Sequence, residues 1–186
     1  MAAAEQSGAH RGSNRARGRE LALWILCHLE SHPDDEREAV ELFWHEPPAI
    51  EPGDAFFDAG ADELAALLVD PNARRFAQRL VDSFLDHAAQ TDARIEGVSA
   101  RWRMARMDRV DRNLLRIAAV ELAHQSTPRN VVVAEAVRLA ARYGSERSVA
   151  FVNGLAEALA RELRDSGEGT SSERTDEGDG EDGGAT

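Results

Sequence analysis

The chain has 186 residues, of which 42% are hydrophobic and 5% aromatic, and its formal net charge at neutral pH is -12. The low aromatic share, together with abundant Ala, Leu, Arg and Glu, favours helices over strands. The single cysteine excludes an internal disulfide and a cysteine-based zinc cluster and fits a reducing cytoplasm, and no apolar run reaches the roughly 20 residues of a membrane span.

The acidity is concentrated in two segments. Residues 31–70 hold twelve acids and one arginine, and residues 166–186 hold seven acids and one arginine. By contrast, residues 71–165 hold sixteen arginines against twelve acids, and residues 1–19 hold four arginines against one acid. Charges interact over a Debye length of about 8 Å, so an anionic partner responds to the local charge rather than to the net charge.

The first part of the chain predicts a flexible arm, a helix and an acidic insert. Residues 1–13 are small and polar, and Pro33 ends the helix that follows them. The following side chains recur along that helix at helical spacing: Leu21, Trp24, Ile25, His28 and Leu29. In the insert, residues 32–72, prolines separate two short helices that we predict over 34–45 and 61–69.

The helical pattern strengthens after residue 72. One helix is predicted to run to about Gln90, and Asp92 is expected to cap a second helix that directs Trp102 inward. A third helix follows in the prediction, because Val110, Leu114, Ile117 and Leu122 form an apolar stripe at helical spacing.

The last two predicted helices follow. Thr127 is expected to cap a helix that starts with Pro128, directs Val131 inward and ends at Gly144. Ser148 is expected to cap the final helix, and residues 166–186 form a disordered acidic tail because they have too little apolar surface to bury.

These elements predict an all-α fold of about seven helices in two small bundles. No segment shows convincing strand alternation. The N-terminal bundle is expected to span 14–103, including the acidic insert, and the C-terminal bundle to span 104–165.

The stretch RGSNRARGRE, residues 11–20, contrasts with the acidic chain. If Ser13 or Asn14 caps the first helix, Arg15, Arg17 and Arg19 lie in its first turns. The helix dipole disfavours cations there by roughly 0.3–1 kcal/mol each. The cluster therefore favours an external anion such as RNA phosphate. The alternative is that a basic N-terminus has no specific partner, as is common.

Several motifs resemble the NusB family of bacterial transcription antitermination factors. They are DRVDRNLLRIAAVEL (108–122), VVVAEAV (131–137), LAARYGSERSVAFVNG (139–154) and the arginine cluster that runs into helix 1. The resemblance implies two helical bundles and an RNA-binding adaptor without catalysis or cofactor. It also implies that the protein works with NusE, a small-subunit ribosomal protein, on the boxA RNA of ribosomal leader transcripts and helps RNA polymerase pass terminators.

The resemblance also indicates candidate site residues. Arg147 and Phe151 fall near the side that faces RNA in the family, although an aromatic residue at this position also fits a core. Arg109, Asp111 and Arg112 are expected on the solvated side of a helix that binds the protein partner. The alternative for these three residues is an ordinary solvated face. An aromatic residue frequent in helix 1 of the family is replaced here by Cys27, which we interpret as a packed thiol.

Other functions have less support from the sequence. His28 and His32 are four residues apart, but Pro33 follows and no third ligand is apparent, so we expect no metal site. A glycine-rich phosphate loop and a nucleophile motif are both missing, so we expect no catalytic residues. A helical module that binds only proteins remains the alternative, and the sequence leaves open whether the free protein is a monomer or a homodimer.

Overall fold

The computed structural model describes residues 13–30, 35–46, 61–99 and 102–168, although for 61–63 and 164–168 it describes the helix without the side chains. Within these residues the chain forms seven α-helices and no strand: α1 (Asn14–Leu29), α2 (Glu36–His45), α3 (Ala61–Leu68), α4 (Pro71–Val98), α5 (Arg109–His124), α6 (Arg129–Tyr143) and α7 (Ser148–Glu168). A 3-10 turn, Met104–Arg106, connects α4 to α5. The predicted all-α class is confirmed.

Some predicted segments lie outside the described residues. These are almost all of the flexible arm 1–13, the middle of the acidic insert and most of the acidic tail 166–186. At the C-terminus, α7 continues to Glu168, past the start of the predicted tail.

The prediction of two helices between residues 72 and 102 is confirmed in part. α4 consists of two helical segments that meet at a kink at His87, whose φ and ψ of -128° and 21° are not helical. The kink lies before the predicted boundary near Gln90, so the predicted position of the boundary was wrong. Asp92 lies inside this helix, and its carboxylate accepts hydrogen bonds of 2.9 and 2.7 Å from the Arg116 guanidinium. A capping residue type therefore did not mark a helix start here, because the side chain serves a tertiary contact instead.

Two further expectations need correction. α6 begins at Arg129 with Pro128, rather than Thr127, at the cap position and without a side-chain capping bond. Trp102 and Val131, both expected to point inward, are 55% and 38% exposed.

The predicted helix end at Gly144 is confirmed. Its N–H donates to the carbonyl of Ala140 at 2.9 Å. A Cβ at this position would lie 2.4 Å from the Cβ of Ser148, so only glycine allows the close approach of α6 and α7. Ser148 is the first residue of α7, and its hydroxyl oxygen accepts a bond from the N–H of Ser145.

Helix α1 is the centre of the fold. From Gly18 to Cys27 every residue is buried, which is unusual for a helix in a small domain. Gly18 allows α1 to lie against α4, because a Cβ there would be 2.8 Å from the Phe76 side chain. The buried thiol of Cys27 confirms the interpretation as a packed residue.

The two groups of helices share one core. α1 packs on α2, α3 and α4, while α5, α6 and α7 pack on one another. α5 also contacts α1 and α4, and one continuous cluster of buried side chains extends from Leu21 in α1 to Leu159 in α7.

A buried ion pair joins the two groups of helices. The Arg19 guanidinium in α1 donates two hydrogen bonds, of 2.7 and 2.5 Å, to the Glu121 carboxylate in α5. The two side chains are 3% and 0% exposed. Glu135 in α6 lies 3.6 Å from the same guanidinium.

We predict that Glu121→Gln lowers the free energy of unfolding by about 3 kcal/mol, because it leaves a buried guanidinium without its main counter-charge. Urea unfolding measures this loss. The matched control is Asp86→Asn, which breaks the exposed pair between Arg37 and Asp86 and should cost less than about 1 kcal/mol. Equal losses in the two variants would contradict a structural role for the buried pair.

Candidate nucleic-acid interface

The first turn of α1 holds basic side chains and no acid. The predicted cap is confirmed, since the Ser13 hydroxyl accepts a hydrogen bond from the N–H of Ala16 at 3.2 Å. Arg15, Arg17 and Arg19 therefore do lie at the positive end of the helix dipole, as the sequence indicated. Their surroundings, however, are very different from one another.

Arg17 already has a partner within the chain. Its guanidinium lies 2.6 Å from the Asp70 carboxylate and donates a second bond to the Ala66 carbonyl at 2.8 Å. Asp70 also caps α4 by accepting bonds from the N–H groups of Asn72 and Ala73. The Ala73 N–H and the Arg17 guanidinium together hold the pKa of the Asp70 carboxyl below its ordinary value. Arg17 thus ties the start of α1 to the start of α4.

The interpretation of Arg19 as a phosphate contact was wrong. Its side chain is 3% exposed, its guanidinium donates two hydrogen bonds to the Glu121 carboxylate of α5, and the Glu135 carboxylate of α6 lies 3.6 Å away. An arginine in the first turns of a helix usually faces solvent, and for this reason the sequence pattern favoured an external anion as its partner. The counter-charge, Glu121, is 102 residues away in the chain.

Arg15 is the exposed member of the three. Its guanidinium carbon lies 5.7 Å from the centre of the Phe76 ring, and that of Arg79 lies 5.3 Å from the same ring. Both arginines are exposed, and among the described residues neither has an acidic partner. The guanidinium carbon of the buried Arg19 also lies 5.3 Å from the centre of this ring, so three cations surround the buried Phe76 side chain. Two of them, Arg15 and Arg79, are exposed and can bind an anion.

Arg79 was missed in the sequence. Its only signal was its position three residues after Phe76, which places both on one face of a helix. Without knowledge that α1 packs against this face, the spacing did not suggest a joint site with Arg15.

Arg147 and Phe151 lie together at the start of α7. Arg147 is exposed, and its carbonyl accepts a hydrogen bond from the Phe151 N–H. The Phe151 ring is half-buried and packs against the core. Its position is therefore compatible with both roles that the sequence left open, namely core packing and contact with RNA. It contacts the exposed Trp102 indole, with ring centres 6.1 Å apart and an angle of 79° between planes.

The Arg15 side chain and the Phe151 side chain lie near opposite ends of α5. Arg15 is one turn before Arg19, which bonds Glu121, so it lies near the end of α5 that holds Glu121. Phe151 lies near the end that holds Asp111, because Asp111 bonds to Ser148 at the start of α7. Ten residues of helix separate those two ends, a distance of about 15 Å.

The expected solvated position of Asp111 and Arg112 was wrong. Asp111 is 5% exposed. Arg112 bonds both oxygens of Glu30, at 2.8 and 2.7 Å, and the carbonyls of Met104 and Met107. These contacts hold the connection between α4 and α5 against the end of α1. Arg109 is half-buried on the same turn.

The other candidates of the sequence lie in the fold as follows. Cys27 is fully buried and accepts a hydrogen bond from Asn113, so it offers no stacking surface. His28 packs against the Phe43 ring, with centres 5.5 Å apart, and His32 lies outside the described residues. In the described part of the chain, no group of three metal-ligating side chains comes together, and no helix is long and apolar enough to cross a membrane.

The comparisons with known proteins agree in one family. A model of the NusB family matches residues 16–161. The transcription antitermination protein NusB of Sorangium cellulosum is 38% identical over 150 residues, which cover 80% of this chain and 93% of that protein. NusB of Myxococcus xanthus is 38% identical over 147 residues, which cover 78% and 94%. The chain belongs to the NusB family.

Solved structures of the NusB family share the fold. NusB of T. maritima has a TM-score of 0.61 and 27% identity, covering 80% of this chain and 91% of that one. A chain of the crystal structure of antitermination factors NusB and NusE in complex with dsRNA has a TM-score of 0.59 and 22% identity, covering 80% and 97%. The NusB family consists of transcription antitermination factors and is not a family of enzymes.

We predict that Asp111→Asn stabilises the protein at neutral pH by up to about 1 kcal/mol. Burial raises the pKa of the Asp111 carboxyl, partly offset by a hydrogen bond from Ser148, and one carboxylate oxygen is buried without a partner among the described residues. Because the pKa is raised on folding, the charged form destabilises the fold above that pKa. This destabilisation disappears as the pH falls below the ordinary value of 3.8.

Thermal unfolding of wild type and Asp111→Asn between neutral pH and pH 4 measures this effect. The difference in Tm should shrink as the pH falls. Glu146→Gln, which changes an exposed acid of the neighbouring loop, is the control and should leave Tm nearly unchanged at every pH. A difference for Asp111→Asn that is independent of pH would contradict the account.

Proposed function

We propose that this chain is an RNA-binding transcription antitermination factor that acts with NusE on boxA RNA of ribosomal leader transcripts. The observation that carries the proposal is the pair of exposed guanidinium groups of Arg15 and Arg79 around Phe76, which have no acidic partner among the described residues. Family membership supports the same function, because the similar proteins of S. cellulosum and M. xanthus are named transcription antitermination proteins.

The chemistry of the Arg15 position suits a phosphate. The first N–H groups of α1 and the helix dipole add partial positive charge to that of the guanidinium groups. In the fold, internal acids neutralise Arg17 and Arg19, so the remaining uncompensated cation of the cluster is Arg15. An RNA phosphate at this position accepts hydrogen bonds from the first N–H groups of α1 and pairs with the Arg15 guanidinium.

The proposed RNA contacts are Arg15, Arg17, Arg79, Arg147 and Phe151. Arg17 contributes less charge than Arg15, since it is bound to Asp70, but its side chain is 31% exposed. Arg147 and Phe151 supply a second contact at the start of α7. A single strand that follows α5 would meet both regions.

The protein partner in this proposal is NusE. Solved structures with the same fold include NusB and NusE together with dsRNA. Of the three residues first considered for this contact, Asp111 is buried and Arg112 is bonded to Glu30. Arg109, the first residue of α5, remains a proposed contact. An antitermination factor acts where RNA polymerase makes the transcript, so the proposal places this protein in the bacterial cytoplasm.

A module that binds only proteins is the competing proposal. It accounts for the helices equally well but gives no role to the Arg15 and Arg79 pair. Binding of boxA RNA in the absence and presence of NusE distinguishes the two, because the competing proposal expects no RNA binding in either case.

We predict that Arg15→Ala weakens binding of boxA RNA and lowers the slope of log affinity against log salt by about 0.7, the contribution of one phosphate on a single strand. Fluorescence anisotropy over a salt series measures both quantities. Arg161→Ala, at an exposed position of α7, is the control and should match wild type. If Arg15→Ala also matches wild type in affinity and slope, the Arg15 cluster does not contact RNA.

A further inference from the structure

Trp102 occupies an unusual position for an indole. It follows the end of α4 and is 55% exposed, whereas Trp24 is fully buried. Tryptophan is enriched at binding surfaces, because its large apolar ring also carries a polar N–H group.

Two hydrogen bonds to the buried residue Ser99 hold the backbone of Trp102. Its N–H donates to the Ser99 carbonyl at 2.7 Å, and its carbonyl accepts from the Ser99 hydroxyl at 2.7 Å. Ser99 is itself 4% exposed. The backbone that carries the exposed ring is therefore tied to the end of α4 by two hydrogen bonds.

The ring is also supported by Phe151. The two rings meet edge to face at 6.1 Å, which is the arrangement that aromatic pairs prefer. Because the rings meet in this way, the contact supports the indole without covering it completely, and more than half of Trp102 stays open to solvent.

The charge around the two rings favours an anionic occupant. Arg103 follows Trp102 directly, Arg106 lies in the 3-10 turn, and Arg147 precedes Phe151 by one helical turn; all three are exposed and without an acidic partner among the described residues. The exposed acids on the same connections are Asp108 and Glu146, so cations are in excess.

We propose that Trp102 is a stacking platform for an unpaired base of single-stranded RNA, with Phe151 as its support and the neighbouring arginines as phosphate contacts. Stacking on an exposed aromatic ring beside cations is how proteins commonly hold single strands. This inference rests on the proposed function and deepens it, because it assigns base contact to a residue outside the arginine cluster of α1.

The test compares Trp102→Leu with Trp102→Phe in binding to a short single-stranded RNA that carries boxA, with and without NusE. Loss of the stacked ring should weaken binding roughly five- to 150-fold in the leucine variant, while phenylalanine keeps most of the affinity. The salt slope should stay that of wild type in both, since no charge is removed. Binding to a fully paired duplex of the same sequence should not change, because its bases are stacked internally.

The matched control is Leu42→Ala, since Leu42 in α2 is also 55% exposed. It should bind RNA as wild type does. If wild type binds the RNA and Trp102→Leu binds equally well, the stacking platform is wrong and the proposed function stands. If Trp102→Leu loses only NusE binding, Trp102 is a protein contact and the inference is also wrong. If wild type itself does not bind the RNA, the proposed function fails and this inference fails with it.

Discussion

The burial of helix α1 on all sides from Gly18 to Cys27 is the constraint from which the rest of the structure follows. A charged side chain on such a helix must find its counter-charge inside the protein, because an unpaired buried charge costs several kcal/mol. Arg19 satisfies this requirement through Glu121 in α5, and Glu20 does so through Arg142 and Tyr143 in α6. These pairs fix how the second group of helices lies against the first.

The same constraint divides the basic residues at the start of α1 by role. Arg19 organises the core, Arg17 joins α1 to the cap of α4, and Arg15 is left at the surface beside Arg79. A row of arginines that looks uniform in the sequence therefore performs three different tasks. In the proposal, fewer arginines of this row contact RNA than their number suggests. Aromatic residues near the start of α7 supply further RNA contacts.

The sequence predicted the helices well because their signals are local. Apolar spacing and prolines placed α2 and α3 to within a few residues, and Gly144 marked the end of α6. The errors concern residues whose role depends on distant partners. Asp92 has the chemistry of a helix cap but binds Arg116, and Arg19 resembles a surface cation but meets Glu121. The exposed Trp102 gave no signal, because an aromatic residue in a helical pattern is usually part of a core.

The division of roles among the three arginines can be measured directly by phenylglyoxal modification, read by mass spectrometry in the free protein and in its complex with boxA RNA. We expect Arg15 to react in the free protein and to be protected by RNA, and Arg19 to resist modification in both states because the fold already covers it. Rapid modification of Arg19 in the free protein, with protection of Arg19 rather than Arg15 on RNA binding, would contradict this division.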